Sequence, residues 1–277
     1  MISIDSTGHS NIEVLTGGAS ASHAKVALFD FDGTLSLIRA GWVDVMVPMM
    51  VDALEATGSG ESREALTGVV REFVDQLTGK QTIYQMIELA RQVELRGAKP
   101  EDPLVYKHRY LDLLHQRIEY RLEELADDPA SSGKYLVPGS IALLELLRAR
   151  GMRLYLASGT DEAYMRREAD LLGVTPYFDG GVFGAQDDYK SFSKRILIER
   201  IIANAECGGN EFLGFGDGYV EIENVKSVGG IAVGVATDEK ECLAVDTWKR
   251  DRLAGVGADY IVPNYLNLAG LRQHLFA

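Results

Sequence analysis

The sequence predicts an α/β protein: a parallel sheet with helices on both faces, interrupted once by an all-helical segment. Three observations carry this reading. Short apolar runs of strand length alternate with stretches of helical period, first at residue 26 and then from residue 138 onward. Several helical stretches stop at a glycine, as at Gly151, Gly173 and Gly229, which suits a left-handed C-terminal cap. Between residues 39 and 137 the alternation ceases, and every periodic stretch reads as helix. Apolar strands joined through helices form parallel sheets covered on both faces, a Rossmann-like core.

Taken in order, residues 1–24 are rich in Ser, Gly and Ala and read as a flexible N-terminal extension, with one short apolar piece at Ile12–Leu15. The core comprises residues 25–38 and 138–277. Its strands are expected at Val26–Phe31, Arg153–Ala157, Gly181–Ala185, Glu211–Phe215, Ile231–Val235 and Tyr260–Val262. Its helices are expected at Gly139–Arg150, Asp161–Leu172, Ser193–Ala205, Val220–Val228 and Asp238–Ala254. The helical segment, residues 39–137, holds Trp42–Ala56, Ser62–Leu77, Thr82–Arg96 and Leu104–Leu125. Thr57-Gly-Ser-Gly-Glu61 and Lys99-Pro-Glu-Asp-Pro103 punctuate it, and Asp127-Asp-Pro-Ala-Ser-Ser-Gly133 reads as the return linker.

The stretch Val26-Ala-Leu-Phe-Asp30-Phe-Asp32-Gly33-Thr34-Leu35 is the most informative. An apolar run of buried-strand length ends in two carboxylates one residue apart, then Gly and Thr. Where the backbone turns at a strand end, both carboxylates can reach one point in a crevice. Like charges that close repel unless a cation lies between them or one holds a proton. Mg²⁺, with one Asp as nucleophile and the other as proton shuttle, is the simplest reason to build the pair. A strand closed by a plain Asp-Gly turn is the alternative. Two more apolar runs end in polar groups, at Ser158-Gly159-Thr160 and at Gly216-Asp217-Gly218, with Glu221 beyond. In doubly wound sheets, ligands lie outside the carboxyl ends of the strands, where Asp30, Ser158 and Asp217 all fall.

Those motifs, with a Lys opening the helical run after Ser193, occur in an order that resembles the haloacid dehalogenase-like hydrolase superfamily, most of whose members are phosphatases. The resemblance covers residues 26–35 and 138–262. It implies that Asp30 attacks phosphorus to form an aspartyl phosphate, while Asp32 protonates the leaving oxygen and then activates water. It implies Mg²⁺ on the Asp30 carboxylate, the Asp32 main-chain carbonyl and Asp217, with Glu221 reaching it through water. Ser158, Gly159 and Thr160 would bind phosphate oxygens. The family's Lys is Lys190 or Lys194, and the spacing to Asp217 favours Lys194. The segment 39–137 stands where one branch of the superfamily carries a helical cap that closes over the site and reads the substrate. Arg39 and Lys80 are its candidates for contacting an anionic group. Many relatives carry an acid two residues beyond Leu35; here that position is Leu37.

Composition narrows the function. The net charge of −13 argues against a nucleic-acid backbone or an anionic membrane as partner. No apolar run approaches the roughly 20 residues that span a bilayer, and no secretory signal is visible. Cys207 and Cys242 lack metal-ligand spacing, so a reduced, cytoplasmic setting is expected. His108 and His115, lacking acidic or Cys partners nearby, read as packing or surface groups, and Met46, Met49 and Met50 as helical core. The expected function is Mg²⁺-dependent hydrolysis of a small phosphorylated metabolite. A phosphomutase using the same aspartyl phosphate is the runner-up. A non-enzymatic phospho-acceptor switch needs neither Asp32 nor a cap, and carbon–halogen cleavage needs neither Asp32 nor Mg²⁺.

Overall fold

The computed structural model describes residues 12–186, 194–205 and 207–277. Its strands are β1 (Glu13–Val14), β2 (Val26–Phe29), β3 (Arg153–Asp161), β4 (Gly181–Ala185), β5 (Phe212–Gly216), β6 (Ile231–Val235) and β7 (Tyr260–Val262). They form one sheet in the order β1-β7-β6-β5-β2-β3-β4. Every pairing is parallel except that of β1 with β7. The chain runs outward from β2 through β3 to β4, then returns to the other side of β2 for β5, β6 and β7. The switch point therefore lies between β2 and β5, the place where such sheets open a crevice.

The described residues also form the α-helices α1 (Val43–Glu55), α2 (Arg63–Leu77), α3 (Thr82–Leu95), α4 (Pro103–Asp127), α5 (Ser140–Ala149), α6 (Glu162–Leu171), α7 (Lys194–Ala205), α8 (Tyr219–Ser227), α9 (Thr247–Gly255) and α10 (Leu268–Phe276). None of the described helices is long and apolar enough to cross a membrane. The chain forms two compact units, one of Met1–Ile38 with Glu124–Ala277, the other of Arg39–Glu123.

In the sheet unit the central strands are sealed by aromatic packing. Phe29 stacks on Phe215 with centroids 4.5 Å apart, and Tyr265 meets Phe215 edge-on. All three are buried, and truncating such a ring costs about 3–5 kcal/mol. The outgoing and returning chains are zipped together in this unit. The Leu37 N–H donates to Tyr135 O at 2.8 Å and the Val137 N–H to Leu35 O at 2.9 Å. The helical unit buries Met46, Met50 and Leu54 of α1 with Leu66 and Val70 of α2 and Met86 and Leu89 of α3. Ser62 caps α2, accepting from the Ala65 N–H at 3.2 Å.

Four expectations need correcting. The tail expected to be flexible is pinned from residue 13 onward. Glu13 and Val14 pair with Ile261 and Tyr260, the Leu15 N–H donates to Asp259 O at 2.9 Å, and the Ala21 N–H donates to Leu275 O at 2.6 Å. Small residues that read as flexible also permit close packing, and Ala21 is buried. Second, the return to the core comes earlier than residue 138. Residues from Glu124 belong to the sheet unit, where the Tyr135 hydroxyl donates to Glu124 Oε2 at 2.5 Å and Asp128 caps a 3₁₀ turn at Pro129–Lys134. Third, Asp238–Ala254 is not one helix. Asp246 caps α9, accepting from the Lys249 N–H at 2.9 Å, and the residues before it form a loop bridged between Thr237 and Val245. Cys242, with φ of 58°, turns that loop. Fourth, β3 continues through Asp161 with an irregularity after Ala157, so Ser158-Gly159-Thr160 lies on a bulged strand end. The sequence reading also missed α10, which Asn267 caps through the Gly270 N–H at 3.0 Å.

Candidate active site

Strand register sets the site. Phe29 of β2 lies level with Leu156 of β3 and Phe215 of β5. Asp30, Ser158 and Asp217, one or two residues further on, therefore emerge at the same sheet edge. The Asp30 N–H still donates to Phe215 O at 2.9 Å, which fixes the backbone where the side chain departs. Asp30 Oδ1 accepts from the Phe31 N–H and from Lys194 Nζ, each at 2.8 Å. Lys194, at the start of α7, is buried and also pairs with Glu221 of α8.

Asp32 is held differently. Its Oδ2 accepts from Ser158 Oγ at 3.2 Å and from Thr160 Oγ1 at 2.8 Å. Ser158 Oγ in turn accepts from the Thr160 N–H at 2.9 Å. The bulge in β3 is what lets both hydroxyls reach one oxygen. Gly33 follows at φ +71°, and a Cβ there would lie 2.1 Å from Asp217 Oδ2. Only glycine allows Asp217 that close. Gly216 serves the same end for Glu221, whose Cβ lies 2.7 Å from where a side chain would start.

Burial pushes the Asp30 carboxyl up to about 6; Lys194 pulls it back down, while Asp217 and Asp32 add to the rise. Burial pushes the Lys249 ammonium down, but Asp217 and Glu239 more than reverse this and hold it above its ordinary value. Lys249 Nζ donates to Asp217 Oδ2 at 3.1 Å and to Glu239 Oε1 at 2.7 Å. Tyr265 supports the crevice from behind, its hydroxyl donating to Thr34 O at 2.9 Å. Burial first, then Asp217 and Asp30, hold that phenol well above its usual range.

The sequence matches the family model of haloacid dehalogenase-like hydrolases over residues 24–229. The chain belongs to this family. Among solved structures it is similar to a predicted phosphoglycolate phosphatase from Haemophilus somnus 129PT, at 16% identity and a TM-score of 0.58, covering 91% of this chain and 99% of that one. It is also similar to a phosphonoacetaldehyde hydrolase-like protein from Oleispira antarctica, at 14% identity and a TM-score of 0.59, covering 94% and 95%. A protein described as a β-phosphoglucomutase from Thermotoga maritima matches at 18% identity and a TM-score of 0.51, covering 89% and 99%. Likeness at these identities speaks for the fold alone. No curated protein matches.

In this haloacid dehalogenase-like hydrolase the acids form an oxygen-only donor set. Asp30 and Glu221 pair with Lys194, Asp217 and Glu239 pair with Lys249, and the Asp32 charge lies near enough to push the Asp30 carboxyl up. Glu221 Oε2 is buried with no hydrogen-bond partner among the described residues. A surplus of buried and half-buried negative charge, carried on hard oxygen donors, fits a divalent cation such as Mg²⁺. Among the described residues, no three acidic, imidazole or thiol groups already close on one point, and Lys194 lies between Asp30 and Glu221.

The structure thus brings Asp30, Asp32, Ser158, Thr160, Lys194, Asp217 and Glu221 to one sheet edge, with Gly159 on the same bulge. Lys190 lies outside the described residues. Arg39 and Lys80 belong to the helical unit, Arg39 buried and Lys80 exposed in the turn between α2 and α3. Sequence reasoning missed Lys249, Glu239 and Tyr265. Nothing local in the sequence marks them: Lys249 and Tyr265 act on residues far away along the chain, and Glu239 acts on Lys249 across a loop.

Proposed function

We propose that this enzyme is a Mg²⁺-dependent phosphatase of a small phosphorylated metabolite, working through an aspartyl phosphate on Asp30. The observation that carries the reading is the unequal treatment of two neighbouring aspartates. Asp30 is buried against an ammonium group, whereas Asp32 is gripped by two hydroxyls. Carboxylates placed in unlike environments divide into nucleophile and acid/base.

Asp30 attacks phosphorus through a carboxylate oxygen, and the bond to the leaving oxygen breaks. Asp32 delivers its proton to that oxygen, so the alcohol departs neutral. Asp32, now a carboxylate, takes a proton from the water that attacks the aspartyl phosphate, which releases inorganic phosphate and restores both acids. Lys194, Ser158 and the Gly159 and Thr160 N–H groups neutralise and orient the phosphoryl oxygens. Mg²⁺ would be held by Asp30, the Asp32 main-chain carbonyl and Asp217, with Glu221 through water, and when bound it supplies charge neutralisation. The helical unit acts as a cap, with Arg39 and Lys80 contacting the substrate's remaining anionic group. Two buried free cysteines suit a reduced, cytoplasmic setting.

Release of phosphate from an aryl phosphate, measured with Mg²⁺ and with excess chelator, tests the reading. Activity is expected only with the metal; full activity in chelator defeats the assignment. A screen of sugar, nucleotide and small-acid phosphates then identifies the substrate, and Lys80→Ala is expected to raise KM for it more than for the aryl phosphate. Phosphomutase chemistry through the same aspartyl phosphate is the second reading, and one structural neighbour is described as a β-phosphoglucomutase. Isomerisation of a sugar phosphate without release of phosphate would establish it instead.

A further inference from the structure

We infer that Lys249, aimed by Glu239, is a positioning residue that fixes the Asp217 carboxylate for metal binding. The inference rests on the Mg²⁺ reading above and adds two residues that no motif contains.

Each part of this arrangement is anchored. Lys249 lies in the first turn of α9, where its N–H is held by the Asp246 cap at 2.9 Å, so the side chain starts from a set point. That side chain is only 12% exposed and ends between two carboxylates. The shorter contact, 2.7 Å, is to Glu239, and the longer, 3.1 Å, is to Asp217. Glu239 comes from the loop between β6 and α9. That loop is fastened by the Thr237–Val245 bridge, by Asn264 Nδ2 donating to Cys242 O at 2.6 Å, and by Thr237 Oγ1 donating to Pro263 O at 2.7 Å. On its other side, Asp217 Oδ2 lies against Gly33. One oxygen of Asp217 is therefore wedged between a glycine and an ammonium group, while Oδ1 takes no hydrogen bond among the described residues. A carboxylate pinned through one oxygen presents the other in a fixed direction, and groups that orient a metal ligand this way change metal affinity 10–100-fold when removed, as an order of magnitude.

A lone positive charge here would repel the cation that Asp217 is meant to hold. Glu239 answers this. Its carboxylate offsets the ammonium charge, so Asp217 gains a hydrogen-bond donor with little net positive charge beside the metal. Orientation then outweighs repulsion, and the pair favours binding.

The test is Mg²⁺ binding to the protein alone, by calorimetry and by the Mg²⁺-dependent rise in melting temperature. Wild type is compared with Lys249→Met, Lys249→Arg and Glu239→Gln. Lys249→Met is expected to weaken Mg²⁺ roughly 10-fold or more, Lys249→Arg to recover part of that, and Glu239→Gln to weaken it by a smaller factor. Unchanged affinity in Lys249→Met, even with a lower melting temperature, makes the residue merely structural and overturns the inference. Tighter binding also overturns it, because the ammonium would then be a competitor of the metal. Should Lys249→Met fail to fold, Glu239→Gln decides by the same criterion. Wild type that binds no Mg²⁺ removes the metal reading and this inference together, whereas wild-type binding with indifferent variants removes this inference alone.

Discussion

In the helical unit, Arg63 pairs with Asp52 and Glu55, Arg91 with Glu88, and Arg109 with Glu101, and in each case the arginine is about half exposed. In the sheet unit, Lys194 pairs with Asp30 and Glu221, and all three side chains are below 10% exposure. Both sets pair a cation with carboxylates, but the cost of placing them differs. A charge pair in water gains and loses almost nothing, typically about 0–1 kcal/mol. A buried pair carries a desolvation penalty of several kcal/mol per ion, so it is weak evidence of a stabilising purpose. Buried carboxylates gathered at a sheet edge are better explained by chemistry, and these three exposed arginines' pairs by solubility.

The comparison breaks first at Asp30. If burial there serves catalysis, Asp30→Asn removes the nucleophile, and turnover is expected to fall by more than about 10⁴-fold with little loss of stability. Asp32→Asn keeps its hydroxyl partners and its main-chain carbonyl, and is expected to cost about 10²–10⁴-fold. Rapid-quench detection of phosphoenzyme separates the two: Asp30→Asn should form none. Near-normal turnover of a poor-leaving-group substrate by Asp32→Asn would remove its acid/base role.

Tyr265 sharpens the contrast by testing a neutral support of the same crevice. Tyr265→Phe leaves the buried Thr34 carbonyl without its donor, expected to cost about 1–3 kcal/mol in urea unfolding. Arg63→Ala in the helical unit should stay within about 1 kcal/mol, although it loses two ion pairs. If the second variant proves the more destabilising, burial is the wrong basis for the comparison.

Much of this was legible in the sequence because strands of a parallel core announce themselves. Val26–Phe29 and Phe212–Gly216 are continuous apolar runs, and a polar group just past such a run must emerge at the carboxyl edge. That rule finds Asp30, Ser158 and Asp217 without any knowledge of which touches which. The partners were not legible. Lys249 reaches Asp217 only because α9 starts at Asp246, and that cap was hidden inside a stretch with helical composition from Asp238 onward. The bulge that turns Ser158 and Thr160 toward Asp32 depends on the register of β3 against β4, which no local pattern reports. Likewise β1 is two residues long, too short for any periodicity to mark.

That short strand supplies the smallest expected effect, and it asks whether exposure or membership of the core unit decides the worth of a charge pair. Glu13 of β1 pairs with Arg250 of α9, with side chains 29% and 33% exposed, inside the sheet unit yet at its rim. The hydrogen bond from the Arg250 guanidinium holds the Glu13 carboxyl below its ordinary value, against a smaller upward push from burial. A carboxyl lowered in the folded state adds stability above its unfolded value, about 4.3, and loses it as pH falls through the folded value. Wild type should therefore exceed Glu13→Gln by a few tenths of a kcal/mol at neutral pH in low salt, with the gap closing below about pH 4. Urea unfolding of both proteins between pH 3 and pH 7 measures it. A gap that persists at pH 3 would mean that Glu13 acts through packing on β7 and not through its charge. A gap well above about 1 kcal/mol at neutral pH would mean that membership of the core unit, and not exposure, sets the worth of an ion pair in this protein.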